Sequence, residues 1–418
     1  MSRSALYDLF AQEVSRIDSA HISKRHERVI QGFTSDAPPK ALINGKPVLV
    51  FNSNDYLGFR HHEEVRAAEH AASQAFGAGP GAVRFISGTL QIHKDLEQTI
   101  ARFHDREDAI LFSSAFAANM AVLFCLIRGQ SKDSVVGGNT LVVSDELNHR
   151  SIIDGIRVAG LPPENKAIFS HMQPESLREV LEMHKGKYER VIVVTDGIFS
   201  MLGEAQHLAD LRIIIDAYDN SYEQGVMLVV DDCHGVGSFG QTGRGVEEVE
   251  QVKADVLIGT MGKAFGSDGG YVVGNKVLIE YLRESAATYI YSNNITPGTA
   301  GAALQAFKIM ELQEGRKMLA HLREMILLFK SKVSALRFTF AADSQHPIQP
   351  ILIGDPAKTM ALTQALFDRG IMVTNINYPV VPKGKDEIRV QISASHTVES
   401  IEEFARVAAD AGKEVGVI

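Results

Sequence analysis

Residues 257–271 read LIGTMGKAFGSDGGY, and this stretch decides how the rest of the chain is read. An apolar, strand-like run ends in Gly259-Thr260, and a loop rich in glycine and serine then presents Lys263 between Gly262 and Gly266. A lysine in a confined site loses part of the hydration that stabilises its ammonium form, so it can serve as a nucleophilic amine or as a base. Taken alone, a Gly-Lys pair is more often a solvated loop lysine. The residues upstream tip the balance.

From Ala109 to Gly274 short Val/Ile/Leu-rich runs alternate with longer helical patterns; the runs are 109–112, 141–143, 191–194, 227–230, 256–258 and 271–273. They are continuous rather than alternating, which predicts strands buried on both faces and therefore a mostly parallel sheet covered by helices. In such sheets ligands bind beyond the carboxyl ends of the strands. The runs here end in Ser113-Ser114-Ala115-Phe116, in Ser144-Asp145 leading to Asn148-His149, in Thr195-Asp196-Gly197 with Ser200, in Asp231-Asp232-Cys233-His234, and in Thr260 with Lys263. Repeated delivery of polar side chains to one edge marks that edge as the site.

Working outward, Pro47–Phe51 reads as a strand that delivers the polar turn Asn52–Gly58, followed by a helix over Glu64–Phe76. Thr299–Leu336 reads as helical, with Met318, Leu322, Met325, Ile326, Phe329 and Val333 on one buried face. Strands at 338–341, 349–353, 371–374 and 388–392, with helices at 357–368 and 398–411, form a smaller α/β unit. The expected division is an N-terminal helix and short strand (1–50), a large domain (51–298) and a smaller C-terminal domain with its connecting helix (299–418).

A net charge of -9 argues against nucleic acid as the main partner, because phosphate binding needs a surplus of Lys and Arg. Cys125 and Cys233 are the only cysteines, which excludes a disulfide framework and a cysteine zinc site. Leu6, Phe10, Val14 and Ile17 have amphipathic-helix spacing rather than the continuous apolar core of a signal peptide, and no tract is long enough to span a membrane. The expectation is a cytoplasmic protein.

An aspartate at the end of a buried strand is costly unless paired, and a cationic ring nitrogen is a suitable partner for Asp231. Pyridoxal phosphate offers one, and a carboxylate there keeps the ring protonated so that it can accept electrons from an amino acid's Cα. His234 could reach the phenolic oxygen of that ring, His149 could lie against its face, and Thr260 with the glycine-rich backbone could hold the phosphate. Each has a plainer alternative: Asp231 as a turn cap, the histidines as structural residues, Ser200 as a loop end. The joint pattern Asp-x-x-His followed by Thr-x-x-Lys-x-x-Gly is harder to explain that way. Two glycine strings are set aside as dinucleotide loops. Gly77–Gly81 follows a helix, and in Gly235–Gly240 the residues Asp232-Cys233-His234 separate the strand from the first glycine.

Asn54–Gly58, Ser144-Asp145, Asn148-His149, Ser151–Gly155, Thr195–Gly197, Phe199–Met201, Asp231-Asp232, His234, Gly259-Thr260 and Gly262-Lys263 together resemble the α-oxoamine synthases over nearly the whole chain. These are fold-type I pyridoxal phosphate enzymes that condense an amino acid with an acyl-CoA. The resemblance implies an α/β fold in which the large domain carries a mostly parallel seven-stranded sheet. It implies that Lys263 carries the cofactor, Asp231 pairs with the ring nitrogen, His234 and Ser200 address the phenolic oxygen, and His149 stacks on the ring. Ala115, Phe116 and Thr260 would lie at the phosphate, joined by Ser292 and Asn293 from a second subunit of a homodimer, while Asn54 and Arg389 would hold the substrate carboxylate. Within the family, Ala82–Phe85, Tyr378–Gly384 and Gly412–Ile418 are most similar to the glycine C-acetyltransferase branch, which implies glycine and acetyl-CoA as substrates. A synthase using alanine, serine or longer thioesters is the alternative. Phe265–Asp268 departs from the branch pattern and is expected to reshape the pocket.

Overall fold

In the computed structural model, residues 3–19, 23–25, 27–131, 133–378 and 380–418 are described. Met1 and Ser2 of the N-terminal helix reading, and Pro379 of the Tyr378–Gly384 stretch, lie outside the described residues. Seven strands build the central sheet: β1 (Asp108–Phe112), β2 (Thr140–Asp145), β3 (Lys166–Phe169), β4 (Arg190–Asp196), β5 (Val226–Asp231), β6 (Val256–Thr260) and β7 (Gly270–Gly274). Their spatial order is β1-β7-β6-β5-β4-β2-β3. All neighbours are parallel except β7, which runs antiparallel to both β1 and β6. This is the mostly parallel, helix-covered sheet expected of fold-type I.

The unbroken apolar runs follow from burial on both faces. Ala109, Leu111, Leu141, Val143, Val191, Val193, Leu228 and Val230 enter one core, and Ile110, Phe112, Val142, Ile192, Val194 and Val229 enter the other. Strand β3 has no counterpart among the six runs read from the sequence. It is an edge strand in which Lys166 and Ile168 are exposed and Phe169 is buried, so it lacks the continuous apolar signature.

The helix read over 299–336 is two helices, Pro297–Glu311 and Gln313–Ala335, separated at Leu312, whose ψ of 172° is extended. Leu322, Met325, Ile326, Phe329 and Val333 are buried as the stripe requires. Strands Thr339–Phe340, Ile348–Leu352, Glu387–Gln391 and Thr374–Ile376 make a small antiparallel sheet. The strand expected at 371–374 divides. Ile371–Met372 leaves this sheet and pairs in parallel with Lys46–Val50, stitching the N-terminal strands to the C-terminal region. The N-terminal helix, Arg3–Ser19, exists, but none of its residues is buried and Leu6, Phe10 and Val14 are exposed. Among the described residues no helix is long and apolar enough to cross a membrane.

One contact fixes the edge on which function is expected. The helix Ala115–Arg128 starts directly after β1, with Ser114 Oγ accepting a hydrogen bond from Ala117 N at 3.1 Å. Its first turn lies against the start of β7, where a Cβ on Gly270 would stand 2.3 Å from Ala115 N. Gly270→Ala is therefore expected to cost about 1–3 kcal/mol or more through overpacking against backbone. Urea unfolding measures it, and an unchanged midpoint would refute the close approach of β7 to the helix start.

Candidate active site

The strand ends converge on a cavity of about 180 Å³ lined by Ala115, Phe116, Asn119, His149, Ser151, Asp196, Ile198, Ser200, Asp231, Cys233, His234, Thr260 and Lys263. Wider clefts of about 650 Å³ beside Asn52 and Arg60, and about 850 Å³ beside Asp105 and Lys253, gather no comparable set of reactive groups. The chemistry selects the smaller cavity.

Its floor is acidic. Asp231 is 5% exposed; Oδ2 accepts from Asn119 Nδ2 at 2.6 Å and Oδ1 from Cys233 N at 3.1 Å. Asp196, in register with it on β4, is 4% exposed, and burial together with the neighbouring Asp231 charge pushes its carboxyl well above the usual range. Asp232 belongs elsewhere. Strand alternation turns it away, where Oδ2 accepts from Val246 N at 2.7 Å.

Lys263 is half-buried on a loop that its neighbours pin. Thr260 Oγ1 donates to Gly269 O at 2.9 Å and accepts from Gly262 N at 3.1 Å, closing the loop between β6 and β7. Gly266 has a φ of +63°, and a Cβ there would stand 2.3 Å from Arg60 N, so glycine is required on both counts. Phe265 stacks on Phe307 with centroids 3.9 Å apart. Phe265 is thus a core residue that anchors the loop, which corrects the expectation that it reshapes the pocket.

His234 Nδ1 is hydrogen-bonded to Tyr56 OH at 2.7 Å, and burial followed by the Lys263 charge holds its imidazole well below the ordinary value, hence neutral. His149 Nδ1 lies 2.7 Å from Ser151 Oγ, and the residue remains exposed, as a ring that is to stack on a ligand must. Burial of part of this ring lowers its imidazole too. Ala115 and Phe116 begin a helix, so their amides precede its first internal hydrogen bond and are free to receive an anion.

Arg389 and Asn54 are not in the cavity wall. Arg389 Nη1 donates to the carbonyl of Ser200 at 2.7 Å, which places the guanidinium behind that wall residue. Asn54 Oδ1 accepts from Tyr56 OH at 3.3 Å and from the Gln391 amide. Ser292 and Asn293 line no part of this cavity and lie on the Tyr291–Thr296 loop, with Asn293 exposed. Sequence reasoning did not single out Asn119, Ser151 or Tyr56 as site residues. A buried asparagine in the otherwise apolar helix AFAANMAVLFCLIR was the available signal for the first; the Tyr56–His234 pair spans 178 residues and left none.

The model for "Aminotransferase class I and II" matches residues 46–407. The chain is 36% identical over 418 residues to an 8-amino-7-oxononanoate synthase of Thermosipho melanesiensis, covering 99% of both chains. It is 38% identical to the mitochondrial 2-amino-3-ketobutyrate coenzyme A ligase of Bos taurus, covering 99% of this chain and 94% of that one. The chain belongs to the α-oxoamine synthases of the class I and II aminotransferase family. A serine palmitoyltransferase from S. paucimobilis with bound PLP superposes with a TM-score of 0.87 at 25% identity, over 100% of both chains. Members of this family are pyridoxal-phosphate-dependent acyltransferases, and this α-oxoamine synthase is one of them.

Its residues fit that cofactor. Asp231 is a buried carboxylate whose hydrogen bonds among the described residues come from the neutral donors Asn119 and the Cys233 amide, and a pyridinium nitrogen would suit it as a partner. At the opposite end, the open helix start at Ala115 and Phe116 offers amides to a phosphate. Thr260 contributes less than the sequence implied, since its hydroxyl proton is given to Gly269. Removing the charge-assisted donor to Asp231 by Asn119→Ala is expected to destabilise the cofactor-free synthase by about 1.5–3 kcal/mol. Chemical denaturation checks this; a change below experimental error would show that Asp231 does not depend on Asn119.

Proposed function

We propose that this synthase condenses glycine with a short acyl-CoA, foremost acetyl-CoA, to give 2-amino-3-ketobutyrate and CoA. The observation that carries the reading is the meeting of Lys263 with the buried Asp231 in a small cavity of about 180 Å³. Phe116, Ile198 and His149 line the same small cavity, which favours an amino acid with little or no side chain. Pyridoxal phosphate supplies the electron sink that makes a carbanion at Cα accessible.

The chain's own residues do the rest. Asp231 would hold the proton on the ring nitrogen, and the neutral His234, oriented by Tyr56, would address the phenolic oxygen together with Ser200. His149 would cover one ring face. The amides of Ala115 and Phe116, with a smaller part for Thr260, would receive the phosphate. Arg389, which reaches the wall residue Ser200, and Asn54 would hold the glycine carboxylate and so orient the substrate. Lys263 Nζ takes the Cα proton. The new C–C bond forms between Cα and the thioester carbonyl, the C–S bond breaks, and CoA leaves as the thiol carrying the balancing proton. Ser292 and Asn293 would complete a phosphate site in a second copy, and the uncovered apolar face of helix Arg3–Ser19 also favours a homodimer.

A second reading rests on the relatives. The product 2-amino-3-ketobutyrate divides at its new bond into acetyl and glycine with the carboxylate retained. The product 8-amino-7-oxononanoate divides into a seven-carbon acyl group and the remnant of alanine without its carboxylate. CoA release and product mass across glycine, alanine and serine against acetyl and longer thioesters separate the two. Glycine with acetyl-CoA is expected to dominate, with CO2 retained; preference for alanine and a dicarboxylic thioester would replace the first reading by the second, and silence across the grid would remove both. Lys263→Ala is expected to lower turnover by about 10²–10⁴-fold or more, and undiminished CoA release would refute the role of Lys263.

A further inference from the structure

Behind the cavity wall lies a charged cluster that the reaction does not use directly. His171 follows β3, and its ring places both nitrogens against carboxylates: Nδ1 is 3.2 Å from Asp145 Oδ1 and Nε2 is 3.1 Å from Glu204 Oε2. A neutral imidazole has one N–H and can satisfy only one such acceptor, whereas a protonated ring donates to both. The His171 side chain is 11% exposed and that of Asp145 is fully buried. The Phe199 ring meets the imidazole edge-on with centroids 4.2 Å apart.

These contacts converge on one turn. Phe199 N donates to Glu204 O and Gly203 N to Phe199 O, both at 2.9 Å, so Phe199 and Glu204 are the two ends of the hairpin that carries Ser200. Ser200 lines the cavity, and its carbonyl accepts the hydrogen bond from Arg389. The hairpin is held on its other side by Ser344 Oγ, which donates to Gly203 O at 2.8 Å.

We propose that His171, doubly protonated between Asp145 and Glu204, is a positioning residue that locks the Phe199–Glu204 hairpin and thereby sets Arg389 for the substrate's carboxylate. The proposal rests on the reading of Arg389 as the carboxylate-binding residue. Asp145 faces His171 from β2 and Glu204 faces it from the hairpin; Glu387, two residues from Arg389 and within the field of Glu204, is pushed up to about 8 chiefly by burial, and Asp196, within the field of Asp145, is likewise raised by burial. No arginine or lysine forms an ion pair with Asp145 or Glu204 among the described residues. Burial alone would lower the His171 imidazole, but the hydrogen bonds to Asp145 and Glu204 outweigh it and raise it to about 9. Because the folded value lies above the ordinary one of about 6.5, the clamp is fully present below about pH 6.5 and is lost as pH rises through about 9.

The test is glycine binding to the cofactor-loaded enzyme, read from cofactor absorbance between about pH 6.5 and 10, for wild type, His171→Gln, Glu204→Gln and Arg389→Lys, with the KM for acetyl-CoA measured alongside. His171→Gln and Glu204→Gln are expected to weaken glycine about tenfold at neutral pH and to leave the acetyl-CoA KM within about twofold. The ratio of variant to wild-type Kd should then shrink toward unity above about pH 9, because the wild type loses the same clamp. Titration of the glycine amine is common to all proteins and cancels in that ratio. A ratio that stays flat with pH, unaltered glycine binding, or an equal rise in the acetyl-CoA KM would overturn the proposal. If His171→Gln does not fold, Glu204→Gln carries the same comparison. Arg389→Lys separates the two ideas: glycine binding at the wild-type level there removes Arg389 as the carboxylate-binding residue, whereas weakened binding with normal His171→Gln removes only the positioning role.

Discussion

The structure depends on negative charge held in a place where water cannot neutralise it. Asp196 and Asp231 end adjacent strands, in register, at the floor of a small cavity. Isolated carboxylates in such surroundings are costly, and neutral donors such as Asn119 and the Cys233 amide only partly compensate. The cavity therefore favours cations, and Lys263 already lines it. On the proposed reading the pyridine nitrogen of the cofactor would pair with Asp231, and the cost of burying that carboxylate would become affinity and orientation for the group that does the chemistry.

The sheet makes that arrangement reproducible. Parallel strands from β2 to β6 point their carboxyl ends to one edge, and β4, β5 and β6 end there in Asp196, Asp231 and Thr260. The antiparallel β7 then turns the chain back immediately after Lys263, so the lysine sits on a short loop closed by Thr260 and anchored by Phe265 against Phe307. A rigid loop with one half-buried amine keeps that amine within reach while restricting where it can go.

What the sequence revealed followed from short-range rules. Six strands were legible because burial on both faces writes an unbroken apolar run, and the polar residues at their ends were legible because chain order places them there. Strand β3 was not, since an edge strand with Lys166 and Ile168 in solvent has no such run. The split of the 371–374 strand depended on a partner, Lys46–Val50, from the other end of the chain. Asp231, His234, His149, Lys263 and Ser200 were named from the sequence, and they share the cavity. Tyr56 and His171 could not be placed in the same way, because their partners His234, Asp145 and Glu204 reach them only through the folded topology.

The parallel pairing of Lys46–Val50 with Ile371–Met372 has a consequence for how the chain emerges from the ribosome. The first of these strands leaves the exit tunnel early, while its partner follows about 320 residues later, or roughly 15–60 s at about 5–20 residues per second. During that interval Lys46–Val50 has only its hairpin partner Ala41–Ile43, and Leu49, buried in the finished protein, lacks its parallel neighbour Ile371. Completion of this sheet is therefore a late, high-contact-order event that closes the N-terminal arm onto an already formed centre. The nascent chain has reason to occupy a chaperone until its final strands are made.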